Sequence, residues 1–95
     1  MKLLGPDQVA MKHQELPQEW ALIGGTQLEI SLKFDDFAKA LDYVNKVAKV
    51  AEKQNHHPDV QLSYGKVELI VTTHSAGGLT NKDFEFAEEV SKIKS

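Results

Sequence analysis

The chain has 95 residues, a formal net charge of −3 and no cysteine, which sets the expectation of one domain, residues 1–95, without disulfides, thiolate metal sites or a cysteine nucleophile. A domain of this length buries only about 60–65% of the surface its unfolded chain exposes, so the core is modest. All 11 basic residues are lysine, and without the arginine fork that suits phosphates and guanine edges no nucleic acid is expected as a partner; Gly5-Pro6-Asp7 interrupts the only early apolar stretch and no run approaches the roughly 18 residues of a membrane span, so the expectation is a cytoplasmic protein with no membrane partner.

Residues 1–19 carry one helix-start signal, Gly5-Pro6-Asp7, with Leu4, Val9 and Leu16 as sparse apolar positions, and are read as a short helix. Trp20 to Ile23 reads as a strand and Gly24-Gly25 as a turn. Leu28, Ile30, Leu32 and Phe34 then alternate with polar residues at period two, completing a hairpin with one buried face. At Asp35-Asp36 the period changes. Phe37, Leu41, Val44, Ala48 and Ala51 repeat at helical spacing, with Ala40, Val47 and Val50 widening the stripe, which predicts a helix of about five turns. Lys46, Lys49 and Lys53 cluster toward its end, where the helix dipole favours cations, and Asn55 with Pro58 marks the stop.

Val60, Leu62 and Tyr64 alternate up to Gly65, and Val67, Leu69, Val71 and Thr73 alternate after it, a second hairpin. His74 falls on the opposite parity from Val67, Leu69 and Val71, which places it at the sheet rim or off the core face. Ala76-Gly77-Gly78 reads as a flexible connection, and Thr80 followed by Asp83 resembles a capping box with a shortened acid. Phe84, Ala87, Val90 and Ile93 supply the apolar stripe of a last helix. The expected class is α+β, in the order α-β-β-α-β-β-α: a four-stranded antiparallel sheet with helices packed on one face.

Three of the four histidines carry the functional signal: His56-His57-Pro58-Asp59 after the long helix, and Thr73-His74 after a strand. Imidazole both gives and takes protons near neutral pH, so such a group suits acid/base chemistry. Each unit alone also has a plainer explanation. Imidazoles past a helix C-terminus complement its dipole, a strand-end histidine is ordinary surface, and His13 stands apart. His57-x-Asp59 with His74 has the outline of a facial metal triad, but the oxygenases that use it need a large β-barrel that 95 residues of this pattern cannot build. No metal is expected. Gly77-Gly78-Leu79-Thr80 lacks the lysine and spacing of a P-loop and reads as a turn into a capped helix. Trp20 on its own reads as a hairpin residue, partly buried.

Ala51-Glu52-Lys53-x-Asn55-His56-His57-Pro58-Asp59, Tyr64-x-Lys66-Val67, Thr73-His74 and Gly78-Leu79-Thr80-x-x-Asp83, taken in order, resemble the signature of the pterin-4a-carbinolamine dehydratases, over about residues 20–90. The resemblance implies dehydration of a 4a-hydroxytetrahydropterin to quinonoid dihydropterin and water, in support of tetrahydropterin recycling, by a hydro-lyase without cofactor. It implies His56, His57 and His74 as catalytic residues and His57, Trp20, Asp59, Thr73 and Ser75 as substrate-binding residues. It further implies a small-molecule pterin substrate as partner and a homodimer or homotetramer. Two positions depart from the pattern: Val60 where relatives often carry an aromatic residue, and Ser75 where an acid commonly follows the Thr-His pair. The competing expectation, from another class, is a dehydratase-like binding or assembly module without turnover.

Overall fold

A computed structural model describes residues 2–93 and follows the expected order: α1 (Pro6–Gln14), β1 (Ala21–Ile23), β2 (Gln27–Lys33), α2 (Phe37–Gln54), β3 (Asp59–Ser63), β4 (Lys66–Val71) and α3 (Asn81–Ser91), with a 3-10 turn at His74–Ala76. The strands form one antiparallel sheet in the order β1-β2-β4-β3. Register explains how the sheet acquires a single apolar face. Leu28 lies opposite Val71, Ile30 opposite Leu69 and Leu32 opposite Val67, and directly opposed residues share a face. That face packs with Tyr43, Val47 and Ala51 of α2 and Phe84, Ala87 and Val90 of α3 in one buried cluster.

Tight connections hold the strands at these registers. At the β3–β4 turn the Phe34 N–H donates to the Gly65 carbonyl at 2.8 Å. A Cβ on residue 65 would sit 2.9 Å from the Phe34 carbonyl oxygen, closer than real contacts allow, so only glycine fits.

Helix α2 starts where Asp36 accepts a hydrogen bond from the Lys39 N–H at 2.8 Å, an N-cap. It ends at Asn55, whose left-handed backbone (φ 53°, ψ 44°) lets the His56 N–H reach the Ala51 carbonyl at 3.1 Å and the Asn55 N–H reach that of Glu52 at 3.3 Å. These two bonds make a Schellman stop at the expected residue.

The buried face of α2 differs from the expected stripe. Ala40, Tyr43, Val47 and Ala51 are buried, while Phe37 and Leu41 remain 46% and 41% exposed and Ala48 is open. The helix carries two overlapping apolar rows, and the sheet and α3 cover only the one containing Tyr43. That ring sits 5.2 Å from the Phe34 ring, and burial pushes its hydroxyl up to about 12. The phenolic tip of Tyr43 hid this row from a count of apolar residues. In α3, likewise, Phe86 joins the predicted Phe84, Ala87 and Val90 in the core.

Candidate active site

Because β3 and β4 run antiparallel with Asp59 opposite Ile70, the chain leading into β3 and the chain leaving β4 emerge at the same end of the sheet. The first carries His56 and His57, the second Thr73 and His74. A bridge between Thr73 and Gly78 turns the chain back toward α3, so Thr80 and Asp83 at the start of that helix come to the same place.

His56 leaves the Schellman stop pointing inward. Its side chain is 11% exposed, and Nε2 lies 2.6 Å from Oδ1 of Asp83, which is fully buried. The other oxygen of that carboxyl, Oδ2, accepts from the Thr73 hydroxyl and from the Thr80 N–H, each at 2.8 Å, and the two threonine hydroxyls meet at 2.9 Å. Among the described residues no buried side-chain polar atom lacks a partner. Asp83 is thus both the helix cap read from the sequence and the partner of a histidine 27 positions earlier.

His57 takes the opposite course. It is 55% exposed and its Nε2 pairs with the carboxylate of Glu52, itself 76% exposed, on the last turn of α2. Glu52, His57, Pro58 and Val60 rim a cleft of about 240 Å³ whose floor is Val44, Val47, Ala48 and Ala51.

His74 opens the 3-10 turn and is exposed, its side chain making no hydrogen bond or ion pair with any described residue. Gly77 closes the turn at φ 80°, donating to the Thr73 and His74 carbonyls at 3.1 Å. The left-handed backbone there favours glycine. Ser75 and Asp59 lie exposed, next in the turn and first in β3.

Two of the residues named from the resemblance lie apart from an open surface. The Thr73 hydroxyl faces inward to Asp83. Trp20 is 1% exposed, and its indole N–H donates to Ser91 Oγ at 2.8 Å; Ser91 follows Asp83 by eight positions, about 12 Å along α3. His13 anchors the same region through Nε2–H, which donates to the Trp20 carbonyl at 2.7 Å. Trp20 and His13 therefore tie α1 and the segment that follows it to the end of α3.

Sequence reading did not name Glu52, Thr80 or Asp83 as site residues. All three stood inside the quoted motifs, and a capping role accounted for Thr80 and Asp83. Among the described residues no group of three or more His, Asp or Glu side chains is placed to hold a metal ion, and no helix is long and apolar enough to cross a membrane. The assembled groups, two imidazoles on carboxylates and one unpaired, have the chemistry of a proton-transfer site.

The family profile described as "Pterin 4 alpha carbinolamine dehydratase" matches residues 2–93. The chain belongs to this family. Proteins named for that dehydratase from Trichormus variabilis and Cyanothece sp. are 44% and 41% identical to it over 92 residues, covering 97% of this chain and 97% and 93% of their own. The crystal structure of a transcriptional coactivator/pterin dehydratase from Brucella melitensis superposes with a TM-score of 0.87 at 28% identity, each chain fully covered. A pterin dehydratase-like protein identified as a RuBisCO assembly factor in the alpha-carboxysome matches at TM-score 0.65 and 17% identity, over 77% of this chain and 86% of its own, and shares the fold.

Proposed function

We propose that the protein dehydrates a 4a-hydroxytetrahydropterin to quinonoid dihydropterin and water, as a step in tetrahydropterin recycling, with His56, His57 and His74 as its acid/base groups. The observation that carries this reading is the meeting of these three imidazoles' chain segments at one end of the sheet, in a member of the dehydratase family. In the reaction the C4a–O bond breaks, a C4a=N bond forms to the adjacent ring nitrogen, and that nitrogen loses its proton. The leaving oxygen needs an acid and the ring N–H a base, and such assistance contributes about 10²–10⁴-fold. His74, unpaired, and His56, held on Asp83, protonate the hydroxyl according to the face from which it projects. His57 binds the pterin and takes the ring proton. Asp59 and Ser75, exposed beside these histidines, contact the polar edge of the pterin; Trp20 and Thr73, turned inward, support the framework.

The test is the dehydration rate of a chemically generated 4a-hydroxytetrahydropterin with the wild-type protein and with His74→Ala and His56→Ala. Acceleration by wild type, with a loss of about 100-fold or more in at least one variant, supports the proposal. A wild-type rate equal to the spontaneous one overturns it and favours the assembly-module reading.

Self-association as a homodimer or homotetramer is part of the proposal. Phe37 and Leu41 on the outer row of α2 and Val60 on the edge strand β3 are 46%, 41% and 43% exposed, and apolar side chains grouped along a helix flank and an unpaired edge are a natural contact surface for a second copy. Leu41→Glu should shift the mass measured by light scattering toward the monomer; an unchanged mass removes this face from the interface.

A further inference from the structure

Resting on the dehydratase reading, but tested independently of it, a second assignment concerns the groups behind His56. We propose that Thr73 and Thr80 are positioning residues: with Asp83 they form a one-directional hydrogen-bond chain that keeps one proton of His56 on Nε2, so that the resting ring is the Nε2–H tautomer and Nδ1 is the nitrogen turned to substrate, the one that carries the second proton of the imidazolium when His56 acts as an acid.

The direction of each bond follows from what its atoms can do. The Thr80 backbone N–H has only a hydrogen to give, and it points at Asp83 Oδ2 at 2.8 Å. Thr73 has one hydroxyl hydrogen and gives it to Asp83 Oδ2 at 2.8 Å. In its 2.9 Å contact with the Thr80 hydroxyl, Thr73 Oγ1 therefore accepts and Thr80 donates.

Oδ2 therefore holds two donors and has no room for a proton of its own. The remaining oxygen, Oδ1, accepts from the imidazole at 2.6 Å, which requires the hydrogen on Nε2 of His56 and leaves the lone pair on Nδ1. Thr73 is 5% exposed and Thr80 and Asp83 are fully buried, so water does not compete for any of these atoms and the polarity is fixed by the protein alone. His57 has no such arrangement: Glu52 is exposed and its carboxylate has water as an alternative partner.

The measurement is the nitrogen chemical shift of the His56 ring in uniformly 15N-labelled full-length protein, in wild type, Thr73→Val and Thr73→Ser, beside kcat and KM for dehydration. Wild type and Thr73→Ser should show a protonated Nε2 and a bare Nδ1. Thr73→Val, which keeps the shape but removes the hydroxyl, should show a mixture of tautomers, with kcat lower by about tenfold and KM within about twofold. A purely structural role for Thr73 would lower the amount of folded protein and leave the tautomer of the folded fraction unchanged. A wild-type His56 protonated on Nδ1 alone overturns the proposal even if the valine variant fails to fold, as does a folded Thr73→Val that keeps the Nε2–H form and full kcat. The expected tautomers in a protein that does not accelerate dehydration would uphold the hydrogen-bond chain and reject the dehydratase reading.

Discussion

His56 and His57 are neighbours in the chain and opposites in the fold. Each puts Nε2 on a carboxylate, yet the first pair is 11% and 0% exposed and the second 55% and 76%. The difference arises at the backbone: Asn55 in its left-handed conformation sends His56 under the end of α2 toward α3, and the chain then starts β3, leaving His57 on the rim. An exposed ion pair exchanges easily with water and contributes about 0–1 kcal/mol. A buried carboxyl that serves several donors cannot be removed without stranding all of them. The comparison teaches that a His-His pair in a sequence can be two devices, one rigid and one adaptable.

The strongest way to break the comparison is Asp83→Ala. It removes the acceptor of the Thr73 hydroxyl, the Thr80 N–H and the His56 ring, and the stranded groups should cost about 3 kcal/mol in a denaturant titration, with dehydration slower by 100-fold or more. Should the loss be no greater than for the same truncation at Glu52, burial does not separate the two pairs.

Next in size is Asn55→Val. A β-branched residue at φ 53° is strained by about 1–3 kcal/mol, and relieving the strain would swing His56 away from Asp83 while leaving the exposed His57–Glu52 pair free to follow. Asn55→Gly, compatible with the same backbone, should stay within about 0.5 kcal/mol of wild type and keep its activity. Equal effects of the two changes would show that the left-handed stop does not set the inner position of His56.

Much of this was readable from local pattern. The hairpins follow period two, the helix stop at Asn55 and the capping box of Thr80 and Asp83 lie within a few residues of their partners, and the two histidine units were visible as words. What stayed hidden depends on distance in the chain. Nothing near Asp83 announces that His56, 27 positions away, completes its bonding. Residues 37–51 offer two apolar rows, and only tertiary contact selects the one with Tyr43. Trp20 was read from its own surroundings as a partly buried hairpin residue; the fold places it just before β1, buries it fully and seats its indole against Ser91, 71 positions away.

The smallest expected effect sharpens the comparison from the exposed side. Glu52→Gln keeps the length and polarity of the side chain and removes only its charge. Both members of the pair are more than half exposed, so stability should change by less than about 1 kcal/mol, and the difference should shrink further as salt screens the pair. Activity is the more informative readout. If His57 takes the ring proton, the carboxylate beside it stabilises the imidazolium that results, and Glu52→Gln should lower kcat severalfold while leaving the fold intact. Raising the ionic strength should then lower the wild-type rate toward that of the variant, because a charge open to solvent is screened, whereas any change at Asp83 should be nearly indifferent to salt, its partners being sealed from water. A variant whose rate equals wild type at every salt concentration would confine the useful carboxylate to the buried pair, and would leave His57 to bind the pterin without moving its proton.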